Sequence, residues 1–181
     1  MVDRSKKELR AALLAARMTR SPDDLETARS DLRRRVLARA RAAKWRRVAG
    51  YVPLRTEPGS IQLLEGLVEL GIEVLVPVTL PDRDLSWRRW LGTTDLEPDS
   101  DLDVDAVSTV DAVLVPALAV ARSGVRLGRG GGSYDRALLR VSPTATVAAL
   151  IFDDELVDEL PSSPWDVPVG SVAQPGGWSE L

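Results

Sequence analysis

The residues best equipped for chemistry lie in one stretch, GVRLGRGGGSYDRALLR, Gly124 to Arg140. Gly128, Gly130, Gly131 and Gly132 fall within five positions, with Arg126 and Arg129 beside them. Where side chains are missing, backbone N–H groups can come close to a ligand. Ser133 is suited to cap a helix running through Tyr134, Asp135, Arg136, Ala137 and the leucines that follow, with Asp135 in its first turn. A glycine loop feeding a helix N-terminus favours an anion, and the guanidinium forks add charge that fits phosphate or carboxylate. Asp135 beside a phosphate makes sense with Mg2+ bridging the two. The loop is not a Walker A motif, since no Gly-Lys-Ser/Thr follows. It is not G-x-G-x-x-G either, because Ser133 takes the last place. A surface turn before a helix is the alternative reading of the same residues.

The chain has neither Cys nor His. Thiol nucleophiles, disulfides, Cys/His zinc sites and His-based triads are therefore excluded. What remains is carboxylates, Arg and Lys, hydroxyls, backbone dipoles and an oxygen-ligated cation. That inventory suits phosphoryl transfer, in which positioning and charge neutralisation dominate. A net charge of −3 gives no electrostatic reason to expect nucleic acid as a partner, and one RGG step does not change that. No apolar run has transmembrane length, and the charged start MVDRSKKELR is unlike a signal peptide. A cytoplasmic protein with no membrane partner is expected.

The elements that must position the loop can be read from pattern. The 181 residues suffice for one domain, 1–181, without repeats or a linker. The first helix is predicted from Ser5 to Met18, with Leu9, Leu13, Leu14 and Met18 as its apolar stripe. Lys6 and Arg10, four apart, share a face. Ser21-Pro22-Asp23-Asp24 opens a second helix reaching about Ala43, with Leu25, Leu32 and Val36 inward. Its many arginines read as a solvated face; an RNA surface is the rival. Val48 to Leu54 is predicted as a strand. Ser60 then caps a third helix with Ile61, Leu64, Leu67 and Val68 on its core face and Gly71 just past its end. Glu73 to Val78 reads as a buried parallel strand, giving a right-handed crossover. Asp84 to Leu91 is predicted as a marginal strand, Gly92 to Asp105 as a loop, and Asp111 to Pro116 as the strand that delivers the chain toward the glycines. Ligands of open α/β sheets sit at such strand ends. Thr146 to Phe152 is predicted as a further strand, Asp153 to Leu160 as helical turns, and the tail PGGWSEL as frayed.

The run LVPALAV…GVRLGRGGGSYDRAL resembles the signature of the 5-formyltetrahydrofolate cyclo-ligase family, roughly VPG-L-A-F…G-x-R-L-G-x-G-G/K-G-Y-Y-D-x-x-L. The resemblance implies a three-layer α/β/α sandwich with a largely parallel central sheet, of the NagB/RpiA/CoA-transferase-like kind. It implies an ATP- and Mg2+-dependent ligase acting on 5-formyltetrahydrofolate, expected as a monomer or weak homodimer. Lys6 and Arg10 match the family's K-x-x-x-R and are implied to bind ATP. The ATP loop is implied at Arg126, Gly128, Arg129, Gly130, Gly131, Gly132, Ser133, Tyr134 and Asp135, with Arg129 as the catalytic charge. Glu57 matches the glutamate that contacts the pterin end of folate. Trp87 falls where an aromatic stands near the substrate, although packing in the core accounts for it equally well. Ser133 and Tyr134 are implied to touch substrate. Asp166 matches the first Asp of the terminal P…H/N-D-x-x-V-D motif, which with Asp135 supports Mg2+. Leu96-Glu97-Pro98 resembles the family's G-I-x-E-P.

Three departures stand out. Ser133 replaces the first Tyr of a Tyr-Tyr pair, Asp153-Asp154 replace a frequent Gln, and Gly170 replaces the second Asp of the terminal motif. A non-catalytic nucleotide- or folate-binding regulator of the same fold is the alternative they leave open.

Overall fold

The computed structural model describes residues 5–92 and 101–181. Leu96-Glu97-Pro98 lies outside them. Four α-helices are described: α1 Lys6–Met18, α2 Pro22–Ala43, α3 Ile61–Glu69 and α4 Ser133–Leu138. The strands are β1 Arg47–Ala49, β2 Glu73–Thr79, β3 Leu85–Arg89, β4 Asp101–Leu102, β5 Ala112–Pro116, β6 Ala119–Ala121, β7 Arg126–Leu127, β8 Thr146–Leu150, β9 Leu156–Val157, β10 Ser171–Gln174 and β11 Gly177–Glu180.

Eight strands form one sheet in the order β11-β10-β8-β5-β1-β2-β3-β4. The inner pairs, from β10 to β2, are parallel, and antiparallel strands finish both margins. The fold is therefore α/β with a largely parallel sheet, as expected. Successive residues of the central strands face opposite cores, the period of two that a pleated strand imposes. Val48, Val74, Val76, Leu114 and Leu150 pack under α2 and α3. Ala49, Leu75, Val113, Val115 and Ala149 face the other way, against α4 and the 3-10 turn Val104–Thr109. The second helical layer is thus thin, and a small sheet β7-β6-β9 supplements the eight-stranded one.

The helix starts follow their caps. Ser5 closes a capping box with Glu8, Ser21 accepts from the Asp24 N–H, and Ser60 accepts from the Leu63 N–H. The crossover β1-α3-β2 is parallel in register Val48↔Val74. On α2, Arg34 pairs with Asp31 and Arg39 with Glu180, while Arg29 donates to the carbonyls of Leu54, Arg55 and Glu57. Several of its arginines are thus engaged within the chain, in keeping with a packed surface helix.

Other expectations are corrected. The first strand is only three residues long; after Gly50 the chain leaves the sheet for a turn in which the Glu57 N–H donates to the Leu54 carbonyl. Val68 and Met18 are exposed, whereas Leu63 and Arg17 are buried in their place. The predicted loop and the acidic helical turns contain short strands, β4 and β9. The tail is not frayed. It forms the β10–β11 hairpin at the sheet edge, with Trp178 against Trp45 at 6.1 Å between ring centroids.

Candidate active site

Beyond β5 the chain passes through β6 and β7 into the glycine loop, and α4 follows at once. The helix is capped differently from the expectation. Gly132, at φ +71°, is the N-cap, and Ser133 is the first helical residue with no side-chain cap bond. A left-handed cap favours glycine, which has no Cβ to clash, so the serine moves one place into the helix.

The loop borders a cavity of about 250 Å3 at the carboxyl ends of β2 and β5. Lys6, Arg10, Glu57, Arg126, Gly128 to Gly132 with Arg129, Ser133, Tyr134, Asp135 and Asp166 all line it. Every residue singled out from sequence therefore converges there except one. Trp87 is fully buried among Leu75, Val107 and Val113, and its indole faces the core. Leu85, two residues earlier on the same strand, lines the cavity in its place. With Pro77, Pro116, Ala117 and Leu118 it forms an apolar wall; the last three belong to the LVPALAV run, whereas Pro77 and Leu85 lie outside any motif.

Each cationic side chain of the site has an oxygen partner. Lys6 Nζ lies 2.5 Å from Asp166 Oδ2. Arg10 Nε donates to the Gly128 carbonyl at 3.0 Å. Arg126 Nη2 donates to Asp135 Oδ1 at 2.8 Å, and the Val167 N–H donates to the same oxygen at 3.2 Å. Arg129 Nε reaches Glu57 Oε1 at 3.4 Å. Glu57 is only 4% exposed, and its second oxygen accepts from the Leu54 N–H at 2.8 Å. A buried carboxylate of this kind, with one strong partner and one long one, has spare capacity to accept hydrogen bonds from a ligand.

Two groups are shifted by these surroundings. Burial alone would raise the Asp166 pKa. The Lys6 ammonium and the Ser163 N–H and hydroxyl outweigh it and hold the carboxyl below the usual range. Burial pushes the Tyr134 phenol well above its ordinary value, with Arg126 opposing and Glu57 adding. Its hydroxyl is buried and has no partner among the described residues. A buried, neutral O–H without a partner, on a residue that lines the cavity, calls for one that water or a ligand could supply.

The donor set is all hard oxygen. Among the described residues no cluster of three or more His, Cys, Asp or Glu could hold a metal. Both Asp166 oxygens are engaged by Lys6 and Ser163, while the bonds to Asp135 fall on Oδ1. Asp135 Oδ2 is the carboxylate oxygen these bonds leave open, and one such ligand is compatible with Mg2+, which takes one or two carboxylates and completes its shell with phosphate and water oxygens.

Sequence reasoning missed three supporting side chains. Arg29 gathers the carbonyls around Glu57, and the buried pair Arg17–Glu155 joins α1 to the sheet. Arg29 and Arg17 carry no sequence signal that separates them from neighbouring surface arginines.

A parallel sheet with a cationic glycine loop over a cavity at its strand ends belongs to the open α/β proteins that bind ligands at that edge. More particularly, the chain belongs to the 5-formyltetrahydrofolate cyclo-ligase family, whose model matches residues 2–175. It is 40% identical to a 5-formyltetrahydrofolate cyclo-ligase of Mycolicibacterium smegmatis, over 97% of this chain and 96% of that protein. It is 31% identical to one of Escherichia coli, over 71% of this chain and 77% of the relative. The solved structure of a 5,10-methenyltetrahydrofolate synthetase from Mycoplasma pneumoniae matches with a TM-score of 0.79, covering 94% of this chain and 98% of its own at 19% identity. Another from Aquifex aeolicus matches with a TM-score of 0.73, covering 97% and 92% at 24% identity. At these identities the structural likeness is one of fold.

Proposed function

We propose that the protein converts 5-formyltetrahydrofolate to 5,10-methenyltetrahydrofolate with ATP, releasing ADP and phosphate. The observation that carries this reading is the convergence of Lys6, Arg10, Arg126, Arg129 and the glycine loop on one cavity that also holds Glu57. Family membership supplies the reaction class.

A formamide oxygen is a poor leaving group. In the proposed reaction it attacks the γ-phosphorus of ATP, the bond to ADP breaks, and the formyl carbon becomes an N5-iminium phosphate. N10 then attacks that carbon, loses its proton, and phosphate departs with the former formyl oxygen. No protein nucleophile is needed, which agrees with a chain lacking Cys and His. Arg129 and the loop amides would stabilise charge on the transferring phosphoryl group, and preorganised donors of this type are usually the largest catalytic term. Lys6 and Arg10 would bind the polyphosphate, the first by exchanging Asp166 for a phosphate oxygen. Glu57 would accept from the pterin N–H groups, with Ser133 and Tyr134 supplying hydroxyls beside it. Bound Mg2+ would neutralise phosphate charge, held by Asp135 and Asp166. Among the described residues no helix is long and apolar enough to cross a membrane, and we place the activity in the cytoplasm.

Absorbance of the methenyl product tests this. Purified protein with 5-formyltetrahydrofolate, ATP and Mg2+ is expected to form it, and omission of ATP to abolish it. Tight binding of both ligands with no product would show a regulator instead.

A further inference from the structure

We infer that Arg17 is a positioning residue: through Glu155 it sets where the cationic end of α1 lies over the cavity. The inference rests on the nucleotide role proposed for Lys6 and Arg10. Arg17 is the one buried side chain of α1, with Leu9, Leu13 and Leu14 only half-buried and Met18 exposed. A helix held this way is fixed less by an apolar face than by polar contacts, those of Lys6 and Arg10 at the cavity and the buried one of Arg17. That contact has a defined geometry. Arg17 Nε and Nη2 each lie 2.7 Å from a different oxygen of Glu155, and Nη2 also donates to the Ala117 carbonyl at 2.5 Å. Glu155 Oε2 in turn accepts from the Phe152 N–H at 2.9 Å. Ala117 follows β5 and lines the cavity; Phe152 follows β8. One guanidinium thus ties α1 to the carboxyl ends of two adjacent strands. Arg20 reinforces the tie, stacked 3.9 Å from the centre of the Phe152 ring.

Stability alone does not explain such a pair. Burying two charges costs much of what their attraction returns, and apolar replacements are often neutral or stabilising. A bidentate fork supplies orientation. At about 100° per residue, Lys6, Arg10 and Arg17 fall within an arc of roughly 40° on α1. At about 1.5 Å per residue, Arg17 is about 10 Å along the helix from Arg10 and about 16 Å from Lys6. A tilt of only about 5° at the anchor would carry Lys6 through about 1.4 Å, and misplacements near 1 Å can cost about 100-fold in rate.

The test compares Arg17→Met, Arg17→Lys, Glu155→Gln and Arg10→Ala with the parent protein. It reads kcat, KM for ATP, KM for 5-formyltetrahydrofolate, thermal midpoint, and amide hydrogen exchange along residues 6–18. Arg17→Met is expected to raise KM for ATP at least tenfold, leave KM for the folate within twofold, and accelerate exchange in α1 but not in β5 or β8. Arg17→Lys, which keeps the charge but not the fork, should fall between. A folded Arg17→Met with KM for ATP within twofold overturns the inference. So does a parallel loss in both KM values and kcat that merely follows the thermal midpoint. Should Arg17→Met fail to fold, Glu155→Gln decides by the same criteria. An unchanged KM for ATP in Arg10→Ala would instead overturn the nucleotide role of α1, and the exchange data alone would then judge the anchor.

Discussion

Replacing Arg129 separates catalysis from folding more cleanly than any other change in the site. Its side chain is 46% exposed, and its ion pair with Glu57 is long at 3.4 Å. With Arg129 half-exposed and the contact long, solvent screens this pair although Glu57 is buried, and its loss should cost about 1 kcal/mol. Arg129→Ala should therefore lower the thermal midpoint by no more than about 4 °C for a chain of this size. Glu57 keeps the Leu54 N–H as a partner, so the buried carboxylate is not stranded. The catalytic effect should be far larger. Loss of one preorganised donor to a developing charge typically costs about 2.7–4 kcal/mol, or about 100- to 1,000-fold in kcat. Arg136 is the control. It is exposed on α4, outside the cavity lining, and its guanidinium rests on the Asp82 carbonyl. Steady-state formation of ADP and of the methenyl product would be measured for both variants beside thermal unfolding. Arg136→Ala should stay within about twofold of the parent. Equal kinetics in the two variants, or a rate loss in Arg129→Ala that tracks unfolding, would refute the phosphate role of the loop.

Gly130 has φ +100°, and a Cβ there would come within 3.2 Å of the Arg10 guanidinium carbon. Gly130→Ala should store about 1–2 kcal/mol of backbone strain and raise KM for ATP; an unchanged KM would show that the loop adapts. Asp135→Asn keeps an oxygen for Arg126 and the Val167 N–H, so it should fold normally yet need more Mg2+ for half-maximal rate, with excess Mg2+ partly restoring turnover. A Mg2+ titration coincident with the parent's would remove Asp135 from the metal's shell. Asp84 titrates low, chiefly because Arg140 hydrogen-bonds its carboxylate, with burial opposing and the Leu85 N–H assisting. A folded-state pKa below the unfolded one gives stability that is fully present above the ordinary carboxyl value of about 3.9 and is lost as pH falls through the folded value. The midpoint gap between parent and Asp84→Asn should therefore be flat at neutral pH and narrow below about pH 4; a gap that widens on acidification contradicts the assignment.

Much of this architecture was legible because its signals are local. Ser21-Pro22 opens a helix by capping chemistry, and the apolar run from Glu73 is long enough to demand a buried strand. The glycine loop was legible for a different reason: its composition is rare enough to carry both a physical reading and a family resemblance. What escaped depends on partners distant in sequence. β6, β7 and β9 are two or three residues each, too short for any period to show. In the tail, Pro175-Gly176-Gly177 looks like a fraying end, but Gly176 donates to Asp153 and Trp178 finds Trp45. Placing Met18 in the stripe and Arg17 outside it was an error of one residue, about 100° of helix, and it hid the anchor of α1. For Trp87 the apolar character was plain, but Leu85 and Trp87 share one buried face of β3, so alternation could not tell which of the two borders the cavity; only the packed fold puts Leu85 there and Trp87 deeper in the core.

The fate of the formyl oxygen tests the central claim most directly. 5-Formyltetrahydrofolate labelled with 18O in the formyl group would be turned over with ATP and Mg2+, and the inorganic phosphate analysed by mass spectrometry. Phosphorylation of that oxygen followed by closure through N10 predicts one 18O atom in each phosphate released, in step with methenyl product. Unlabelled phosphate accompanied by methenyl product, with the label recovered in water, would contradict the mechanism.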